Sequence, residues 1–107
     1  MQCIILRRAM KINSQKNGTE LTVFMVGSLD ATAAPELEHE LNAQWEGVAE
    51  LVLDFTDVSF ISSAGIRIIL WARKQMDSRG KMTLKNTNEN VREIFEMVGL
   101  TNELNFA

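Results

Sequence analysis

Apolar and polar positions along this 107-residue chain change their period several times, and each change marks an element. Ile12 stands in a polar segment that runs into Lys16, Asn17 and Gly18, and Asn-Gly is a hairpin signal, so a first strand is expected to end there. Leu21, Val23 and Met25 then alternate with Thr22, Phe24 and Val26 up to Gly27. Because both alternating sets are largely apolar, the pattern predicts a strand covered on both faces. After it the period lengthens. Asp30 or Thr32 can cap, Pro35 suits a first turn, and Leu37, Leu41 and Trp45 recur at helical spacing, which predicts a first helix.

Leu51, Val52, Leu53 and Phe55 form an apolar run that reads as the central strand, followed by a loop and then by Ser62, Ser63, Ala64 and Gly65. A second helix begins at that corner. Ile66, Ile69, Leu70 and Met76 mark one stripe, while Ile68, Trp71 and Ala72 add a second flank that reads as burial against two neighbours or as a partner-binding patch. Lys81 to Lys85 alternates as a further strand. Asn86, Thr87 and Asn88 supply caps for a third helix, with Val91, Ile94, Phe95 and Val98 on one face and Gly99 as its stop. Leu100, Leu104 and Phe106 are placed to fold back on the core. Strands alternating with helices predict an α/β protein with a mainly parallel sheet, to which the first hairpin adds an antiparallel edge.

Composition narrows the classes of function. At 46% hydrophobic and 23% charged, the chain reads as one globular domain able to bury a core without disulfides or a structural metal. A net charge of -3 provides no basic patch for direct nucleic-acid binding and favours a basic partner surface instead. One cysteine, Cys3, rules out a disulfide framework or zinc cluster and fits a reducing compartment. The opening MQCIILRRAM has an apolar core of four residues with its arginines after that core, which is wrong for a signal peptide. No apolar run approaches the roughly 20 residues of a membrane span, so a cytoplasmic protein without membrane attachment is expected. Met10 is a possible alternative start; residues 1–8 read as an N-terminal extension and 9–107 as a single domain.

The candidate chemistry is concentrated at the Ser62–Gly65 corner. Backbone N–H groups at a helix start are unpaired and the helix dipole is positive there, so a phosphate or acidic group would be tolerated. A hydrolase nucleophile elbow would need G-x-S-x-G and a downstream histidine, yet the first glycine is lacking and the one histidine, His39, lies upstream among Glu36, Glu38, Glu40 and Glu46. Those acids read as a solvated face and His39 lacks a ligand set, so no metal is expected. Neither GxxxxGK[ST] nor GxGxxG occurs, and no cofactor is expected. A receiver-type phosphoacceptor role for Asp54 or Asp57 lacks the paired strand-end acids that would hold its metal. What remains is a corner that is itself acted upon, or that binds a partner.

LVLDFTDVSFISSAGIRIILWARKQ resembles the signature of the STAS domain, in particular of the stand-alone anti-sigma-factor antagonists of bacterial partner-switching systems. GSLDATAAPELEHEL resembles the family's segment after its inner strand and NENVREIFEMVGL its terminal helix, so the resemblance runs from about Ala9 to Phe106. It implies a mixed, mainly parallel sheet of four to five strands flanked by about four helices, in a protein that is not an enzyme. It further implies docking, in the unphosphorylated state, onto an anti-sigma-factor serine kinase that phosphorylates the corner and thereby releases it, with a phosphatase reversing the mark. The family's acceptor falls on Ser63, with Ser62 as the alternative; Asp30 falls on the acid expected near it. Asp30, Ser62, Ser63, Ala64, Gly65, Ile68 and Trp71 are accordingly the expected partner-binding residues of a monomer or weak dimer. Ser62 replaces the aspartate that precedes the family's acceptor, which bears on how the hydroxyl is positioned.

Residue types alone read Ser63 as an N-cap; the resemblance makes it a switch site, and the two roles are compatible. The competing reading is a constitutive interaction or scaffold module that binds through Trp71 and Ile68 without a working switch. A serine hydrolase would demand turnover that Ser63→Ala abolishes, and none is expected.

Overall fold

The computed structural model describes residues 10–100, 102 and 104–107, the side chain of Met10 excepted. Cys3 and the expected 1–8 extension lie outside the described residues. The order is β1 (Met10–Asn17), β2 (Glu20–Leu29), α1 (Ala34–Asn42), β3 (Glu50–Ile61), α2 (Ser63–Met76), β4 (Lys81–Lys85) and α3 (Glu89–Met97). The four strands form one sheet in the order β1-β2-β3-β4, with β1 antiparallel to β2 and the other two pairs parallel. This is the expected mixed, mainly parallel sheet with an antiparallel edge. Beyond it, Phe106 makes a parallel bridge to Leu84, with Leu84 N donating to Asn105 O at 2.8 Å and Ala107 N to Leu84 O at 2.8 Å. The chain end thus lines the outer side of β4. Three helices stand among the described residues where about four are expected.

Both parallel connections step across the sheet in the same direction, and right-handed crossovers then put α1 and α2 on one face. That face holds the core: Leu21, Val23 and Met25 of β2, Leu51, Leu53 and Phe55 of β3, Leu37 and Leu41 of α1, and Ile69, Ala72 and Met76 of α2 are all buried. Val91 and Phe95 of α3 join the same cluster, with Phe95 set edge-on to Phe106 at 5.5 Å. Asn88 caps α3, its Oδ1 accepting from Val91 N at 2.8 Å, and the chain reverses at Gly99 with φ 76°, a left-handed conformation that glycine adopts freely.

Five local expectations are corrected. β2 is covered on one face, not two: Phe24 and Val26 stay open. β3 does not end at Phe55; it continues to Ile61, with register shifts against β2 at Phe24/Val26 and Gly27/Ser28. Each bulge inserts an unpaired residue, which breaks the period-two pattern and makes the second half of the strand read as a loop. The first helix ends at Asn42, so Trp45 lies beyond it, its indole N–H donating to Asn42 Oδ1 at 3.1 Å. Neither Asp30 nor Thr32 is the N-cap of α1; that position is Ala33, without a side-chain cap. Asp30 instead holds the turn before the helix, its Oδ1 accepting from Thr32 N and Ala33 N, each at 3.1 Å. Of the glutamates, Glu40 is not simply solvated: it accepts hydrogen bonds from Ser14 Oγ and from Gln44 Nε2, tying α1 to β1.

Candidate functional site

The corner is built by parallel pairing. Leu29 at the end of β2 stands in register with Ile61 at the end of β3, and Ser62 N donates to Leu29 O at 3.0 Å. Asp30 and Ser62 therefore leave the two strand ends side by side, which brings the acid of the first helical entry to the serine corner.

Within the corner the two serines divide the work. Ser62 is the N-cap of α2 in extended conformation, its Oγ accepting from Gly65 N at 3.3 Å while its carbonyl accepts from Ile66 N at 2.9 Å. Ser63, expected from residue types to be the cap, is instead the first helical residue; it is exposed and its hydroxyl makes no hydrogen bond to another described residue. The cap is a residue earlier because β3 runs straight to Ile61 and only Ser62 keeps the extended backbone that a cap needs. Ser63 N and Ala64 N have no acceptor among the described residues, which leaves two donors and the positive end of the helix beside the free hydroxyl.

Serine and aspartate cap helices comparably well. Ser62→Ala is expected to lower stability by about 1 kcal/mol and Ser62→Asp to leave it within about 0.5 kcal/mol of the parent. Urea unfolding of the two variants beside the parent checks this; equal losses for both would remove the capping role.

Gly65 is held by space. A Cβ there would lie 2.2 Å from Leu29 O and 2.7 Å from Ile61 Cγ1, so the helix start can approach the strand ends only without a side chain. The remaining expected residues separate. Ala64, Ile68 and Trp71 line a groove of about 450 Å³ between α2 and the start of α1, together with Arg67, Ala34 and Pro35. Ile68 is buried and contributes only its edge, in keeping with the burial reading, whereas Trp71 is half-buried. The Trp71 ring leans on Trp45 at 6.0 Å, and the Arg79 guanidinium lies 4.9 Å from the Trp45 ring centroid.

His39 is exposed, and no group of three or more His, Cys, Asp or Glu side chains able to hold a metal occurs among the described residues. No helix among the described residues is long and apolar enough to cross a membrane.

The sequence reading missed a polar knot at Asp54. Its Oδ1 accepts from Thr56 N at 2.9 Å and Thr56 Oγ1 at 2.5 Å, and Asn86 Nδ2 donates to Thr56 Oγ1 at 3.0 Å. Asn86 takes the left-handed conformation, φ 59°, which asparagine tolerates better than most residues. Burial alone would raise the Asp54 carboxyl, but the Thr56 side chain and backbone, Asn86 and the charge of Lys85 outweigh it and hold the group below its ordinary value. A lowered folded value means that the stabilisation is present above the ordinary value of 3.8 and is lost as pH falls through the folded one. Urea midpoints measured from neutral pH downward should thus fall more steeply below about pH 4 for the parent than for Asp54→Asn. Parallel curves would show that Asp54 ionisation does not contribute.

Comparison with known proteins gives a consistent answer. The STAS domain family matches residues 11–107. The chain is 36% identical over 92 residues to a candidate anti-sigma factor antagonist, BtrV, of Bordetella bronchiseptica, covering 84% of this chain and 79% of that one. Among solved structures, an anti-sigma factor antagonist from Mycobacterium paratuberculosis superposes with a TM-score of 0.83 at 19% identity, covering 94% of this chain and 86% of that one. The Bacillus cell fate determinant SpoIIAA in its phosphorylated form does so with a TM-score of 0.72 at 19% identity, over 91% of each chain.

Proposed function

The chain belongs to the STAS domain family, and we propose that it is an anti-sigma-factor antagonist that docks unphosphorylated on an anti-sigma-factor serine kinase and is released when Ser63 is phosphorylated. It acts in the cytoplasm as a non-enzymatic switch, without a cofactor, and a phosphatase restores it. The observation that carries this reading is the division of the corner: Ser62 is consumed as the cap while Ser63 is exposed with a free hydroxyl. A kinase needs a hydroxyl it can reach. SpoIIAA, a structural relative, is known in a phosphorylated form, which supports the same class of modification here.

The mechanism follows from charge. Ser63 Oγ attacks the γ-phosphorus of ATP and loses its proton, ADP leaves, and the corner acquires a charge of about -1.5 to -2. The unpaired N–H groups of Ser63 and Ala64 and the helix dipole accommodate that charge, so the fold survives. A partner packed on the neutral corner and on the groove beside it must instead desolvate a phosphate. An unpaired buried charge costs several kcal/mol, and affinity falls by orders of magnitude. Release requires no change of fold. Asp30, at the end of the neighbouring strand, adds a negative charge to the same surface and suits a basic partner.

Incubation with candidate anti-sigma kinases and ATP, followed by intact mass measurement and fragmentation, tests the assignment. One phosphate on Ser63, absent from Ser63→Ala and retained by Ser62→Ala, is expected. A phosphate on Ser62, or none from a kinase that binds the chain, would overturn it. The groove supports the second reading, a constitutive module docking through Trp71. In that case Trp71→Ala loses the partner and changes at Ser63 do not affect affinity.

A further inference from the structure

Ser63, Arg67 and Trp71 follow one another at intervals of four residues along α2. Each interval advances about 6 Å and turns about 40°, so the three side chains form one line down the helix, with Arg67 a turn from each of the others. Ser63 and Arg67 are exposed, and Trp71 is half-buried against Trp45. Arg67 and Trp71 line the groove beside the corner, with Glu38 contributed from the α1 side. Arg67 makes no hydrogen bond, ion pair or ring contact with another described residue, so a new anion need displace nothing to reach it. Arg79, by contrast, is occupied: its guanidinium stacks over Trp45 and donates to Gln75 O at 2.9 Å.

We propose that Arg67 reads the phosphate: when Ser63 is phosphorylated, the Arg67 guanidinium leaves the groove beside Trp71 and pairs with the phosphate one turn toward the helix start. This role rests on the proposed phosphorylation of Ser63 and gives a mark at the corner a route to the groove. Spacing and charge both favour the pair. Residues four apart on a helix are neighbours, and an anion on the N-terminal side of a cation is the better of the two orders. A phosphate of charge about -1.5 to -2 outweighs the single carboxylate of Glu38, and the planar guanidinium fork matches phosphate oxygens two at a time. Asp30, at the neighbouring strand end, adds negative charge at the corner that the same guanidinium offsets. The groove changes as a result. Of its two charged side chains, Arg67 and Glu38, only the acid remains, and a partner carboxylate that used Arg67 loses its contact.

Phosphoserine placed at position 63 during translation, by codon reassignment, tests the pairing in the full-length chain without any kinase. Phosphorus-31 titration should give a second phosphate pKa at least about 0.5 unit lower than in the same protein carrying Arg67→Gln, because an adjacent cation favours the dianion. Arg67→Lys should fall between the two, since lysine keeps the charge and loses the fork. Phosphoserine should also move the indole N–H signal of Trp71 in nitrogen-15 spectra, assigned with Trp71→Phe, and Arg67→Gln should remove most of that movement. Arg67 is exposed, so its replacement leaves the core intact, which the same spectra verify. A phosphate that titrates alike in all three proteins overturns the pairing. A Trp71 signal that moves equally with and without Arg67 overturns the route to the groove. Neither result bears on whether a kinase modifies Ser63, which the mass measurement decides.

Discussion

Ser63→Asp is expected to weaken binding to the cognate kinase by at least about 100-fold, while Ser63→Ala binds like the parent and can no longer be released by ATP. The first result rests on two effects of opposite sign. An aspartate as the first residue of α2 lies against unpaired N–H groups and the positive helix end, which contributes about 0.3–1 kcal/mol in favour of the folded protein. The same carboxylate must be desolvated when a partner packs on the corner, and that cost is several times larger. Stability should thus rise slightly as binding collapses. Titration calorimetry of the two variants beside thermal unfolding separates these effects from simple misfolding. If Ser63→Asp and Ser63→Ala both bind as tightly as the parent, the charge switch is refuted, and the Trp71 groove becomes the better account of how this domain holds its partner.

Gly65→Ala is the substitution expected to harm the fold most. In most helices alanine stabilises relative to glycine by about 1 kcal/mol. Here the new methyl would stand 2.2 Å from a backbone carbonyl, Leu29 O, and 2.7 Å from the buried Ile61 side chain. The carbonyl cannot swing away, because it accepts from Ser62 N and so joins β2 to the start of α2. The helix start must lift off the strand ends, with a net loss of about 2–3 kcal/mol and a melting temperature lower by about 10 °C. Binding should fall as well, since the lifted turn carries Ser63 and Ala64. A melting temperature equal to or above the parent's would mean that the close approach is not required.

Much of the architecture follows from local pattern. The Asn17-Gly18 hairpin, the apolar run of Leu51, Val52 and Leu53, and the stripe of Val91 and Phe95 are each legible in a window of ten or so residues, because side-chain period and turn chemistry are local properties. The serine corner is legible for the same reason: small polar residues between a strand and an amphipathic helix mark a helix start. The errors fall where distant segments decide. Phe24 and Val26 read as buried since nothing local says which side of β2 receives helices. The second half of β3 reads as a loop because its bulges are set by pairing with β2, some thirty residues earlier in the chain.

The same boundary runs through the site. The chain by itself pointed to Ser62 to Gly65 as the candidate surface, and the resemblance of three segments pointed to the class of protein. It did not decide between the serines, since two adjacent hydroxyls are equivalent until the backbone assigns one of them an extended conformation and the other a helical one. The tertiary structure separates their environments: the hydrogen bond from Ser62 N to Leu29 O keeps Ser62 extended as the cap, and Ser63 begins the helix with its hydroxyl unpartnered among the described residues. It also decided why residue 65 is glycine, because the atom that most closely excludes a side chain there, Leu29 O, belongs to a strand end more than thirty residues away.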